Sequence, residues 1–243
     1  MELHILPDDK ILSKSLARWI AAYIRKTLES KPHFSIVLSG GNTPKSLFGE
    51  LANNQEENKI DWEKVVIFWG DERVVPFSDE RNNAGMAYSI LLNKVPVLPK
   101  NIYRMRTDIS PEQAVEEYDQ VLHHFFKTDE ISFDLVLLGM GDDGHTLSLF
   151  PGSDAISDST SWVREVYNKE QQMYRITLMP AIVNSSQKIA FMIAGKNKAS
   201  IVKNVLEDNY QPDVYPSQLI IKNRKDVDLF LDYDAASQIK SMV

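Results

Sequence analysis

The stretch Phe133-Asp134-Leu135-Val136-Leu137-Leu138-Gly139-Met140-Gly141-Asp142-Asp143-Gly144-His145-Thr146 decides how the chain is read. It opens as an apolar run and closes in glycines, two aspartates and a histidine. A strand that is apolar at successive positions is buried on both faces, as in a parallel sheet covered by helices. Gly139, Gly141 and Gly144 formally satisfy the dinucleotide fingerprint GxGxxG, but that fingerprint has to open a helix. Here Phe150-Pro151-Gly152-Ser153 and the Ser/Asp-rich run behind it interrupt any helix, and Asp142 and Asp143 would set negative charge beside a pyrophosphate. The stretch is therefore a strand feeding a glycine-shaped loop that presents His145. An imidazole there can take a proton from water. Asp143 is placed to hold its tautomer and stabilise the imidazolium.

The same pattern recurs on either side. Phe34–Leu38 is an apolar run ending in Ser39-Gly40-Gly41-Asn42-Thr43, and Pro44 then opens a helix with Leu47, Phe48 and Leu51 on one face. Gly40 and Gly41 let the backbone approach an anion, while Asn42, Thr43 and the free N–H groups of the helix supply donors. No Gly-Lys-Ser/Thr closes this loop, so it is not a Walker loop. Val65–Trp69 leads into Gly70-Asp71-Glu72-Arg73, where Asp71 and Arg73 can orient a hydroxyl-rich anionic substrate or simply pair with each other. Gly195-Lys196-Asn197-Lys198-Ala199 brings Lys198 to another strand–helix junction, and Arg175 opens the run Arg175-Ile176-Thr177-Leu178.

Helices are expected over Ile11–Glu29 (Asp8 and Asp9 as caps), around Asn82–Leu92, over Pro111–Phe126 with Ser110 as cap, and over Lys198–Leu206. Further strands are expected at Tyr174–Leu178, Lys188–Ala194, Leu219–Ile221 and Val227–Leu231. The alternation implies one α/β domain over residues 1–243, with a Rossmann-like, mainly parallel sheet and helices on both faces. In such sheets ligands sit beyond the C-terminal ends of the strands, where the strand order reverses. Three strands end there in polar, glycine-bearing segments.

Composition narrows the partners. With 27 Lys+Arg against 34 Asp+Glu, the 243-residue chain carries a net charge of −7, the wrong sign for a surface that tracks nucleic acid. A local cationic cluster can still bind a small anion. The chain has no cysteine, which excludes disulfides, thiolate metal sites and cysteine nucleophiles. No apolar stretch approaches the ~20 residues of a membrane helix, and Met1 to Lys10 do not read as a signal peptide. A cytoplasmic protein without nucleic-acid or membrane partners is expected; monomer and homodimer remain equally open.

Taken in order, these segments resemble the 6-phosphogluconolactonase family. The resemblance rests on Leu38 to Pro44, Gly70 to Pro76, Phe133 to Pro151, Arg175 to Leu178, Gly195 to Ala199 and Leu231 to Ala236. Its most specific part is Gly-x-Gly-x-Asp-Gly-His-Thr-x-Ser-Leu-Phe-Pro, from Gly139 to Pro151. The resemblance implies hydrolysis of 6-phospho-D-glucono-1,5-lactone in the oxidative pentose phosphate pathway, without metal or organic cofactor. It makes His145 the general base, with Asp143 or Asp71 in support. Gly40, Gly41, Asn42, Thr43, Arg73, Arg175 and Lys198 become the phosphate and sugar ligands. Asn42 stands where the family usually has Ser, Leu147 where it has Ala, and Arg81-Asn82-Asn83 matches a Ser-Asn pattern at one Asn. The rival reading is an amino-sugar-phosphate isomerase or deaminase. Those enzymes resemble this chain around Asp71 and Asp143-Gly144-His145, but they carry a Glu before the proline, where this chain has Phe150. A non-catalytic sugar-phosphate sensor would have little need of His145.

Overall fold

The computed structural model describes residues 1–126 and 131–240. Nine strands are described: β1 (Glu2–Leu6), β2 (Phe34–Leu38), β3 (Val65–Trp69), β4 (Asp71–Arg73), β5 (Leu135–Leu138), β6 (Val163–Asn168), β7 (Met173–Leu178), β8 (Ile189–Ile193) and β9 (Val227–Asp232). Six form an entirely parallel sheet in the order β1-β9-β8-β5-β2-β3. The other three form a small antiparallel sheet, β4-β7-β6.

The apolar runs are explained by burial on both faces. Successive strand side chains point to opposite sides. Val65, Ile67 and Trp69 therefore pack into one core, with Leu16 and Ile20 of the Asp9–Leu28 helix and Leu47 and Leu51 of the Thr43–Asn53 helix. Val66 and Phe68 enter the other core, with Tyr118 and Leu122 of the Pro111–Phe125 helix. The helix starts follow the expected chemistry. Asp8 accepts from Ile11 N at 2.8 Å, and Ser110 with Gln113 forms a capping box. The edge of β3 is covered by the Tyr118 hydroxyl, which accepts from Trp69 N at 3.0 Å and donates to Trp69 O.

Two expectations need correction, at Leu219–Ile221 and at Asn82–Leu92, and the small sheet adds to the rest. Leu219–Ile221 lies in a short helix, Gln218–Ile221, rather than in the sheet. The run at Tyr174–Leu178 is a strand, but it belongs to the small antiparallel sheet. Its partner β6 and the edge strand β1 complete a topology that the apolar runs did not reveal. The helix around Asn82–Leu92 is α-helical only over Asn83–Ala87, and Tyr88–Leu92 continues it as a π-helix. No helix among the described residues is long and apolar enough to cross a membrane.

The strand order reverses between β2 and β5. The chain passes from β2 outward to β3, then returns to the other side of β2 to lay down β5, β8 and β9. The glycine loop after β2 and the His145 loop after β5 thus leave adjacent strands. Asp134 fixes this pair at its base. Its carboxylate accepts from Ser35 N at 2.8 Å and Ser35 Oγ at 3.0 Å, and Lys31 Nζ lies 2.5 Å away. Because Ser35 and Asp134 are buried, Asp134→Ala should lower stability by about 2–3 kcal/mol. Urea unfolding should show a lower midpoint with an unchanged slope.

Candidate active site

Ser39 to Pro44, Asp71, Arg73, Gly139 to Asp142, His145 to Leu147, Phe150, Gln171, Arg175, Ala194, Asn197 and Lys198 line one cavity of about 410 Å³. It opens at the C-terminal ends of β2, β3, β5 and β8. Of the site residues expected from sequence, Gly40, Gly41, Asn42, Thr43, Asp71, Arg73, His145, Arg175 and Lys198 all border it. Asp143 lies behind His145 and lines a neighbouring depression instead.

The histidine loop is built by its glycines. Gly141 N donates to His145 O at 2.8 Å, and Gly144, at φ +82°, turns the chain back as Gly144 N donates to Gly141 O. A Cβ on Gly141 would lie 2.1 Å from His145 Nδ1, so only glycine admits the ring. Nδ1 of His145 is 2.6 Å from Asp143 Oδ1, which also accepts from the His145 backbone N–H at 3.0 Å. Burial pushes the Asp143 carboxyl up, but the hydrogen bond and charge of His145 outweigh it and hold the group below its ordinary range. With Nδ1 engaged by Asp143, Nε2 is the nitrogen left for a proton from the cavity. The imidazole is 31% exposed and lies against Phe150, ring centroids 4.7 Å apart. No helix follows the loop before the 3-10 turn Asp154–Ser157, in keeping with the rejection of a dinucleotide fingerprint.

The cationic wall comes from the small sheet. Asp71 and Arg73, two residues apart on β4, share a face, and β4 pairs with β7 so that Arg73 stands opposite Arg175 and Asp71 opposite Thr177. Like charges directly across a strand pair repel. At Arg175 Asp71 outweighs this repulsion, its Oδ2 lying 3.6 Å from Arg175 Nη1 while accepting from Ser148 Oγ at 2.7 Å. The simplest alternative for Gly70-Asp71-Glu72-Arg73, an Asp71–Arg73 pair, is not what forms. Burial lowers the pKa of Arg175, with Asp71 opposing the shift. Arg175 also donates to Gln171, and its Nε is buried without a partner. Lys198 pairs with Asp142, whose carboxyl that lysine holds low.

Two residues were missed by the sequence reading. Gln171, in the turn between β6 and β7, reaches the cavity through Arg175. Asn83, buried at 1% exposure, accepts from Arg73 Nη1 at 2.8 Å and donates to Asp71 O at 2.9 Å. Their partners are near in sequence, Arg175 four residues from Gln171 and Arg73 ten from Asn83, but residue type and spacing alone do not mark either contact.

The family model for glucosamine-6-phosphate isomerases/6-phosphogluconolactonase matches residues 7–229, and the chain belongs to this family. Among its relatives, 6-phosphogluconolactonase 3, chloroplastic, of Arabidopsis thaliana is 32% identical over 98% of this chain and 75% of its own length. A 6-phosphogluconolactonase of a Synechocystis strain is 34% identical over 90% of each chain. The structure of 6-phosphogluconolactonase from Trypanosoma brucei superposes with a TM-score of 0.86 at 25% identity, covering 97% of both chains.

Below the site, Glu72 points to the opposite face of β4 and is buried. Its carboxyl accepts from the backbone N–H groups of Arg73, Asn83 and Ala84 at 2.7–2.8 Å, yet burial raises its pKa from 4.5 to about 7. Between those pH values the folded state binds more protons than the unfolded state, so stability should fall as pH rises through that window. The full shift corresponds to about 3 kcal/mol. Glu72→Gln should be less stable at every pH but flatter from pH 4.5 to 7. Urea midpoints that rise across this window in the parent would show that the three N–H donors outweigh burial.

Proposed function

We propose that this chain hydrolyses 6-phospho-D-glucono-1,5-lactone to 6-phosphogluconate in the oxidative pentose phosphate pathway. The observation that carries the reading is the juxtaposition of a carboxylate-backed imidazole with a wall of cations across one cavity. The names of the relatives at 32% and 34% identity support the same reaction.

The chemistry follows from the placement. Arg73, Arg175 and the Gly40–Thr43 loop bind the phosphate, and Lys198 reaches the sugar hydroxyls. Binding at this remote end orients the ring ester toward His145. Nε2 takes a proton from a water that attacks C1, and Asp143 stabilises the resulting imidazolium. Collapse of the tetrahedral intermediate breaks the bond between C1 and the ring oxygen, which receives the proton back from Nε2. Water is consumed and the acid is released as its carboxylate. Asp71 holds Arg175 and Ser148 in place at the floor. The isomerase or deaminase alternative loses support at Phe150: an apolar ring packs on His145 at the position where ring opening would need a proton-sharing Glu.

The test is proton release from enzymatically generated lactone, corrected for spontaneous opening. The parent should accelerate hydrolysis and leave glucosamine 6-phosphate unchanged; conversion of the amino sugar would reverse the assignment. His145→Ala should lose about 10²–10⁴ in turnover while still binding 6-phosphogluconate. Gly141→Ala should displace the ring and cost on the order of 10² in turnover with the fold intact by circular dichroism.

A further inference from the structure

Three cations line the cavity, and they are held in different ways. Lys198 pairs with Asp142 and Arg175 with Asp71, so part of each charge is already compensated. Arg73 pairs with no carboxylate among the described residues. Its Nη1 donates to two neutral acceptors, Arg81 O and Asn83 Oδ1, each at 2.8 Å, and its Nε is buried without a partner. The guanidinium is therefore fixed in direction while its full charge remains available to an anion.

We propose that Asn83 is a positioning residue that aims Arg73 at the substrate phosphate without neutralising it. Three further contacts make Asn83 rigid enough to do so. Its Nδ2 donates to Asp71 O, its backbone N donates to Glu72 Oε1 at 2.7 Å, and its side chain fills the space beside Gly40, where a Cβ would fall 2.1 Å from Asn83 Oδ1. One amide thus ties together the glycine loop, Asp71 and Arg73. An aspartate of almost the same shape would instead give Arg73 an internal counter-ion. It would also set a carboxylate oxygen against Asp71 O.

The inference rests on the phosphate-binding role proposed for Arg73 and is tested by Asn83→Asp and Asn83→Ala, each in the parent and in an Arg73→Gln background. In the parent, Asn83→Asp should raise the lactone KM and the Kd for 6-phosphogluconate at least tenfold, with kcat within threefold. Asn83→Ala, which adds no charge, should raise both about threefold. With Arg73→Gln present, either change should add less than twofold, because the group being aimed is gone. A residue that merely fills space would show the reverse order, Ala worse than Asp, or effects that persist in the Arg73→Gln background. Either result overturns the proposal. If one variant does not fold, the other's cycle with Arg73→Gln decides. Calorimetry with inorganic phosphate separates this inference from the reaction. A parent that fails to hydrolyse lactone sinks the lactonase reading, whereas equal phosphate affinity in parent and Asn83→Asp sinks the role of Asn83.

Discussion

Two guanidinium groups face each other across β4 and β7, and the site depends on that repulsive pair being held in place. Left to themselves, Arg73 and Arg175 would separate into solvent. The antiparallel ladder fixes their backbones opposite each other, Arg175 is buried, and the attraction of Asp71 for Arg175 outweighs the repulsion of Arg73. What remains is a fixed concentration of positive charge in a chain whose overall charge is −7. An anion entering the cavity would meet that charge already held in place.

The acidic residues around the cavity have separate tasks that follow from their partners. Asp143 serves the imidazole, Asp142 the lysine and Asp71 the buried arginine. Because Asp143 approaches from outside the cavity, it can stabilise a positive ring without adding a carboxylate to the cavity lining. The large parallel sheet contributes the strand tips and Lys198, and the small sheet contributes Arg73 and Arg175. Neither makes the site alone.

Much of this was legible in the sequence because two-sided burial leaves an unmistakable trace. Phe34–Leu38, Val65–Trp69 and Leu135–Leu138 are apolar at nearly every position, and the glycines behind them mark where the backbone turns. The elements that were missed are those without such a trace. Val163–Asn168 is an edge strand carrying polar residues, and Leu219–Ile221 is too short for periodicity to separate strand from helix. His145 and the glycine loop could be found locally. The roles of Asn83 and Gln171 could not, since each depends on how a turn or short helix folds a polar amide back onto an arginine four or ten residues away.

Leu147 adopts φ +56°, a conformation that bulky side chains avoid, and its Cδ2 occupies the space where any Cβ on Gly70 would fall, 2.8 Å away. The two positions belong to loops on different strands, yet they behave as a single packing unit. Drift at one is therefore gated by the other. A side chain at position 70 would have to push the end of Leu147 aside, so what one position tolerates depends on what stands at the other.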